Sequence, residues 1–185
     1  MSERWRCFVA VPIGDPLRDA LAAATSAWAA RMEALDLRWT DPAGWHVTLA
    51  FLGDVDAARV PEIAVRLPAL VGPHPSIELV PDALVPWPRE DEARMAWCRF
   101  RSDSGLAELH NRVAAELGVT ERRRFRPHVT LARVRGGRTA ALAPPPTVAL
   151  PVTAADEVVL FRSHLDPAGA TYEPLASVPL QAVPA

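Results

Sequence analysis

The sequence predicts an α+β protein of two pseudo-symmetric lobes, each an antiparallel sheet with helices, facing a central cleft within one domain spanning residues 1–185. Two observations lead there. The phrase His-Val-Thr-Leu-Ala occurs twice, at 46–50 and 128–132, once in each half of the chain. A solenoid would need three or more copies. Around both copies, strand-like apolar runs share the chain with long helical patterns, the mark of helices packed on antiparallel sheets.

Each element can be justified in turn. Trp5 to Pro12 reads as a strand, and Asp15-Pro16 opens a helix reaching about Leu35, with Asp15 as its cap and Pro16 in its first turn. Leu37 to Thr40 is a short strand. Trp45 to Leu52 is the first motif strand, ended by Gly53-Asp54. A helix follows over roughly Ala57 to Val71, with Pro61 suited to its first turn and Pro68 ending or kinking it. Gly72 to Pro75 is a loop. Ile77 to Val85 and Ala93 to Arg101 form a hairpin or near neighbours. Ser102 to Leu117 is a helix with Leu106, Leu109, Val113 and Leu117 on one face and Gly118 past its end. Phe125 to Val134 is the second motif strand. Beyond the loop at Pro144-Pro145-Pro146, strands are expected at Val148–Val152, Glu157–Ser163 and Tyr172–Leu180.

On a strand, residues i and i+2 share a face. Each motif therefore presents an imidazole beside a hydroxyl: His46 with Thr48, and His128 with Thr130. Two such pairs facing one cleft supply two proton-transfer groups and two hydrogen-bond donors, which suits metal-free cleavage of a phosphodiester. The plain alternative is two amphipathic strands with Val47, Leu49, Val129 and Leu131 turned inward and no chemistry. Five identical residues in both halves weigh against it.

Composition narrows the class. The chain has 185 residues, half of them apolar, and needs no staple to hold a core. Cys7 and Cys98 lie far apart in apolar runs and read as buried free thiols in a reducing compartment. No run reaches 18 apolar residues and the N-terminus lacks a signal-peptide layout, so a cytoplasmic protein without membrane contact is expected. Lysine is absent, which reflects composition rather than function. Net charge is −2, yet Arg122, Arg123, Arg124, Arg126, Arg133, Arg135 and Arg138 cluster around the second motif with no acidic residue among them. This patch points to a polyanionic substrate; the alternative is a solvated arginine-rich loop.

At these residues the chain resembles the 2H phosphoesterase superfamily and, within it, the RNA 2′,3′-cyclic phosphodiesterases, also known as 2′-5′ RNA ligases. The resemblance rests on Arg6–Val11, Leu37-Arg-Trp-Thr40, Trp45–Gly53, Phe125–Arg133, Leu160–Leu165 and the Gly169…Tyr172–Leu175 segment. It implies a bilobal fold acting on RNA 3′ ends in RNA processing, with no metal or other cofactor. His46 would be the proton donor to the leaving 3′-oxygen and His128 the proton acceptor that activates water. The near-symmetry of the motifs leaves that direction open to sequence alone. Thr48 and Thr130 would donate to the non-bridging phosphate oxygens.

Five residues after each histidine stand Phe51 and Arg133, out of phase with the His/Thr face, so a bulge or strand end is needed to bring them to the cleft. Phe51 would stack on the terminal base, with core packing as the alternative; Arg133 would contact base or phosphate, and Arg126 phosphate. His110 reads as structural, and His74 and His164 carry no role. A zinc site is the chemical rival, disfavoured by the absence of HExxH, His-x-His or cysteine clusters. Reversible 2′-5′ ligation is a further reaction the resemblance allows. Alternative substrates are a small cyclic nucleotide, a 2′-5′ oligoadenylate or ADP-ribose cyclic phosphate; the alternative class is a non-catalytic RNA-binding module. A monomer is expected.

Overall fold

In a computed structural model of the chain, the described residues are 2–72, 74–102, 105–120, 124–167 and 169–181. They form strands β1 (Arg4–Pro12), β2 (Leu37–Trp39), β3 (His46–Asp56), β4 (Ile77–Leu79), β5 (Pro81–Trp87), β6 (Met95–Phe100), β7 (His128–Val134), β8 (Thr153–Ala155), β9 (Glu157–Asp166) and β10 (Gly169–Pro179). The helices are α1 (Asp15–Ala29), α2 (Val60–Val71) and α3 (Leu106–Glu116). Two four-stranded antiparallel sheets, ordered β10-β9-β1-β3 and β2-β7-β6-β5, carry one motif strand each, and β4-β8 forms a small third sheet. The α+β class is as expected.

One apolar cluster joins the two large sheets to the helices. It takes in Val9, Val11, Leu17, Leu21, Trp28, Val47, Leu49, Cys98, Leu109, Val129 and Leu131. In α1 the buried residues Leu17, Leu21, Ala24 and Trp28 recur at helical spacing along one face. The Trp28 indole donates to the Ala143 carbonyl (2.8 Å), pinning the start of the triple-proline loop to the helix.

Several boundaries differ from expectation. Helix α1 stops at Ala29, because tight turns at Arg31, Met32 and Leu35 bring Met32 into the core; packing overrides the helix propensity of the following residues. Its cap is Gly14, and Asp15 sits in the first turn paired with Arg18. Pro68 does not end α2, which runs on to Val71 while Leu67 and Val71 stay buried. The run 77–85 splits at Val80 into β4 and β5, which join different sheets; Pro81 has no N–H to continue a ladder. Residues 148–152 form no strand. Pro151 interrupts that run, Val148 and Val152 are exposed, and pairing starts only at Thr153. The second motif strand begins at His128 rather than Phe125, and Gly53 lies within β3 rather than ending it. The expected starts of α3 and of the arginine cluster fall partly on 103–104 and 121–123, outside the described residues.

Candidate active site

Both motif strands carry a bulge at the same place. Across β1 and β3, Val9 pairs with Ala50 and Ala10 with Thr48, leaving Leu49 extra. Across β6 and β7, Ala96 pairs with Ala132 and Trp97 with Thr130, leaving Leu131 extra. The extra residue resets the alternation. Leu49 with Ala50, and Leu131 with Ala132, are all buried in succession, and the next residue, Phe51 or Arg133, turns outward. Phe51 is 54 % exposed, and its ring meets Phe8 (5.9 Å), which also stacks on His46 (4.8 Å). The phase problem posed by the sequence is thus solved twice by one device.

Each bulge carbonyl has its own partner. His110, buried on α3, donates from Nδ1 to the Leu49 carbonyl (2.6 Å) and stacks on Phe125 (4.1 Å). The Leu131 carbonyl accepts from the Thr40 amide (2.9 Å) and lies 3.0 Å from the Thr40 hydroxyl, which also reaches the Thr130 carbonyl (2.7 Å). The Trp45 indole donates back to that hydroxyl (2.8 Å). A bond chain thus runs from the residue before His46 to the backbone of Thr130.

The two histidines are held alike. His46 donates from Nδ1 to the Gly44 carbonyl (2.7 Å), and His128 from Nδ1 to the Arg126 carbonyl (2.7 Å). A carbonyl only accepts, so Nδ1 carries a proton and Nε2 is the nitrogen left for chemistry. Their surroundings differ. His46 lies on Phe8 with Tyr172 against it edge-on (4.9 Å), and a Cβ at Gly44 would come within 3.1 Å of the Tyr172 ring. His128 lies flat on Trp97 (3.7 Å), Trp97 on Trp87 (4.2 Å), and the Arg126 guanidinium on Trp87 (4.7 Å). Burial pushes the His46 pKa down to about 4, the Gly44 carbonyl opposes, and the His128 charge adds to the fall. Burial also lowers His128, against its carbonyl bond and with the Arg133 charge. His46 of one sheet therefore senses the charge of His128 of the other.

Among the described residues, no hydrogen bond engages the Thr48 or Thr130 hydroxyl. Among the described residues the Arg133 guanidinium meets the Met95 sulfur (2.9 Å), and loss of hydration lowers its pKa while Tyr172 of the other sheet opposes. The other described arginines of the cluster disperse. Arg135 and Arg138 pair with Asp36, while Arg124 and Arg126 line an open groove of about 540 Å³ with Arg99, Arg101 and Asp82. His74 is buried, bonded to its neighbour's carbonyl, and His164 pairs with Glu173. Both cysteines are buried free thiols, and burial raises the Cys98 pKa to about 12. Among the described residues no three potential ligands gather to hold a metal, and no helix is long and apolar enough to cross a membrane. Sequence reasoning missed Phe8, Trp97, Thr40 and Arg38 as neighbours of the site; the signal was cross-strand register, which needs the fold.

The fold thus brings one His-x-Thr strand from each of two sheets into one site. The family model described as LigT like Phosphoesterase matches residues 11–97. An RNA 2′,3′-cyclic phosphodiesterase of Geobacillus stearothermophilus is 28% identical over 98% of this chain and 59% of its own length. One from Aeropyrum pernix is 31% identical over 55% of this chain and 60% of its own. The chain thus spans about three fifths of the length of these curated relatives. A crystal structure of E. coli LigT complexed with 3′-AMP superposes with a TM-score of 0.77 at 27% identity, covering 96% of this chain and 99% of that one. In sequence and in fold the chain is thus similar to LigT-like phosphoesterases.

Proposed function

We propose that this protein, with both lobes acting as one unit, hydrolyses RNA ends bearing a 2′,3′-cyclic phosphate to 2′-phosphomonoesters without a metal ion. The observation that carries the reading is the matched pair of clamped histidines, each beside an unengaged threonine hydroxyl. The names of the relatives support RNA as the substrate, and the 3′-AMP complex of LigT supports a nucleotide-sized cleft.

In this reading His128 Nε2 takes a proton from water, and the water oxygen attacks phosphorus. The bond to the 3′-oxygen breaks, and His46 supplies its proton. An imidazole with a pKa of about 4 is neutral at pH 7, so His46 takes up that proton when the anionic phosphate binds. Thr48 and Thr130 donate to the non-bridging oxygens as charge develops. Phe51 stacks on the terminal base and Arg133 neutralises phosphate charge. Arg126 is left to the edge of the site, since its guanidinium already rests on Trp87. With a 5′-hydroxyl in place of water the same displacement joins it to phosphorus as the 3′-oxygen leaves, giving a 2′-5′ linkage; the reverse of that step cleaves the linkage.

Turnover of an RNA ending in a 2′,3′-cyclic phosphate tests this. His46→Ala and His128→Ala should each lose about 10²–10⁴ in kcat. Undiminished turnover in either variant removes that histidine from the chemistry; binding of RNA without turnover by the wild type leaves the non-catalytic alternative.

A further inference from the structure

We infer that Arg38 joins Arg133 in a subsite for a second substrate phosphate, distinct from the cyclic one; this rests on the phosphodiesterase reading above. Arg38 of β2 stands directly opposite Arg133 of β7 in the antiparallel register. Directly opposed residues share a face of the sheet, and the bulge at Leu131 puts Arg133 on the His128 face. Both guanidinium groups therefore stand on the cleft side.

Like charges placed opposite one another destabilise a sheet unless something neutralises them. Among the described residues no carboxylate pairs with either one. The contrast lies close by: Arg135, at the end of the same strand, is matched by Asp36. The two charges sense each other, since Arg38 contributes to the lowered pKa of Arg133. Two unneutralised guanidinium groups side by side are a phosphate site in waiting.

Their distance from the chemistry fits a second phosphate. Arg133 lies three residues beyond Thr130 along the strand, past the Leu131 bulge, so the pair stands further along the cleft than the Thr130 hydroxyl. A substrate with a further phosphodiester 5′ to its cyclic end presents an anion at that range; a cyclic mononucleotide does not.

The test compares kcat/KM for a dinucleotide ending in a 2′,3′-cyclic phosphate with that for the cyclic mononucleotide. Wild type should prefer the dinucleotide. Arg38→Gln should cut that preference about tenfold, and Arg38→Lys should keep most of it. An Arg38 that only supports the fold would depress both substrates together and leave the ratio intact, which overturns the inference. A dinucleotide whose linkage is a neutral methylphosphonate needs no protein variant, so it decides the matter even if Arg38→Gln fails to fold. It should lose the preference in wild type, and retention overturns the inference. Wild type that turns over neither substrate contradicts the parent reading instead; wild type that turns over both equally contradicts only this one.

Discussion

Each imidazole gives its Nδ1 proton to a carbonyl two residues back, and that bond determines which nitrogen can do chemistry. Burial then keeps both rings short of protons: His46 falls to about 4 and His128 falls as well. Catalysis by the pair needs one ring protonated and one neutral. In the free protein that state is most populated below the ordinary histidine value of 6.5, so kcat/KM should peak on the acid side of it. Bound phosphate favours imidazolium and raises both values, so the kcat profile should move to higher pH. Pairs of pH profiles for the two parameters check this; coincident profiles would mean the phosphate does not touch the histidines. The sequence made the pairing of each His with its Thr legible, because period two suffices. It could not foretell the separate settings of the rings, because Phe8, Tyr172 and Trp97 reach them from other strands.

The motif strands are more than carriers of two side chains. Without the bulges, Phe51 and Arg133 would point into the core. Sequence alone stated that need, and identical Leu-Ala steps at 49–50 and 131–132 answer it in both sheets. His110 and Thr40 hold the two bulge carbonyls. Phe51→Ala should raise KM with little change in kcat if the ring stacks on the substrate base. His110→Phe, which keeps the stack on Phe125 but removes the donor, should raise KM in the same way and add little on a Phe51→Ala background. Fully additive effects would make His110 a core residue only. Elements whose packing outweighed local pattern were the least legible: α1 ended early to seat Met32, and 148–152 found no partner strand.

At the scale of the whole molecule, duplication made the architecture legible and asymmetry made it useful. Two motif copies foretold two sheets and a cleft, and the sheets carry one copy each. The lobes meet through Trp45, Thr40 and Thr130, a bond chain that no pattern of alternation reveals. Thr40→Val breaks it, leaving the Trp45 indole and the Thr130 carbonyl without the hydroxyl while the Thr40 amide still bonds the second bulge carbonyl, so it should lower kcat several-fold and destabilise the fold by about 1–3 kcal/mol. Denaturation midpoints and steady-state kinetics read the two effects separately.

The central claim is that two clamped histidines cleave a cyclic phosphate without a metal. Phosphorus NMR of an RNA 2′,3′-cyclic phosphate incubated with the protein in excess EDTA tests it most directly. The expected result is undiminished conversion to the 2′-phosphomonoester. Loss of turnover in EDTA with restoration by a divalent cation, or a 3′-phosphate as the sole product, would contradict it.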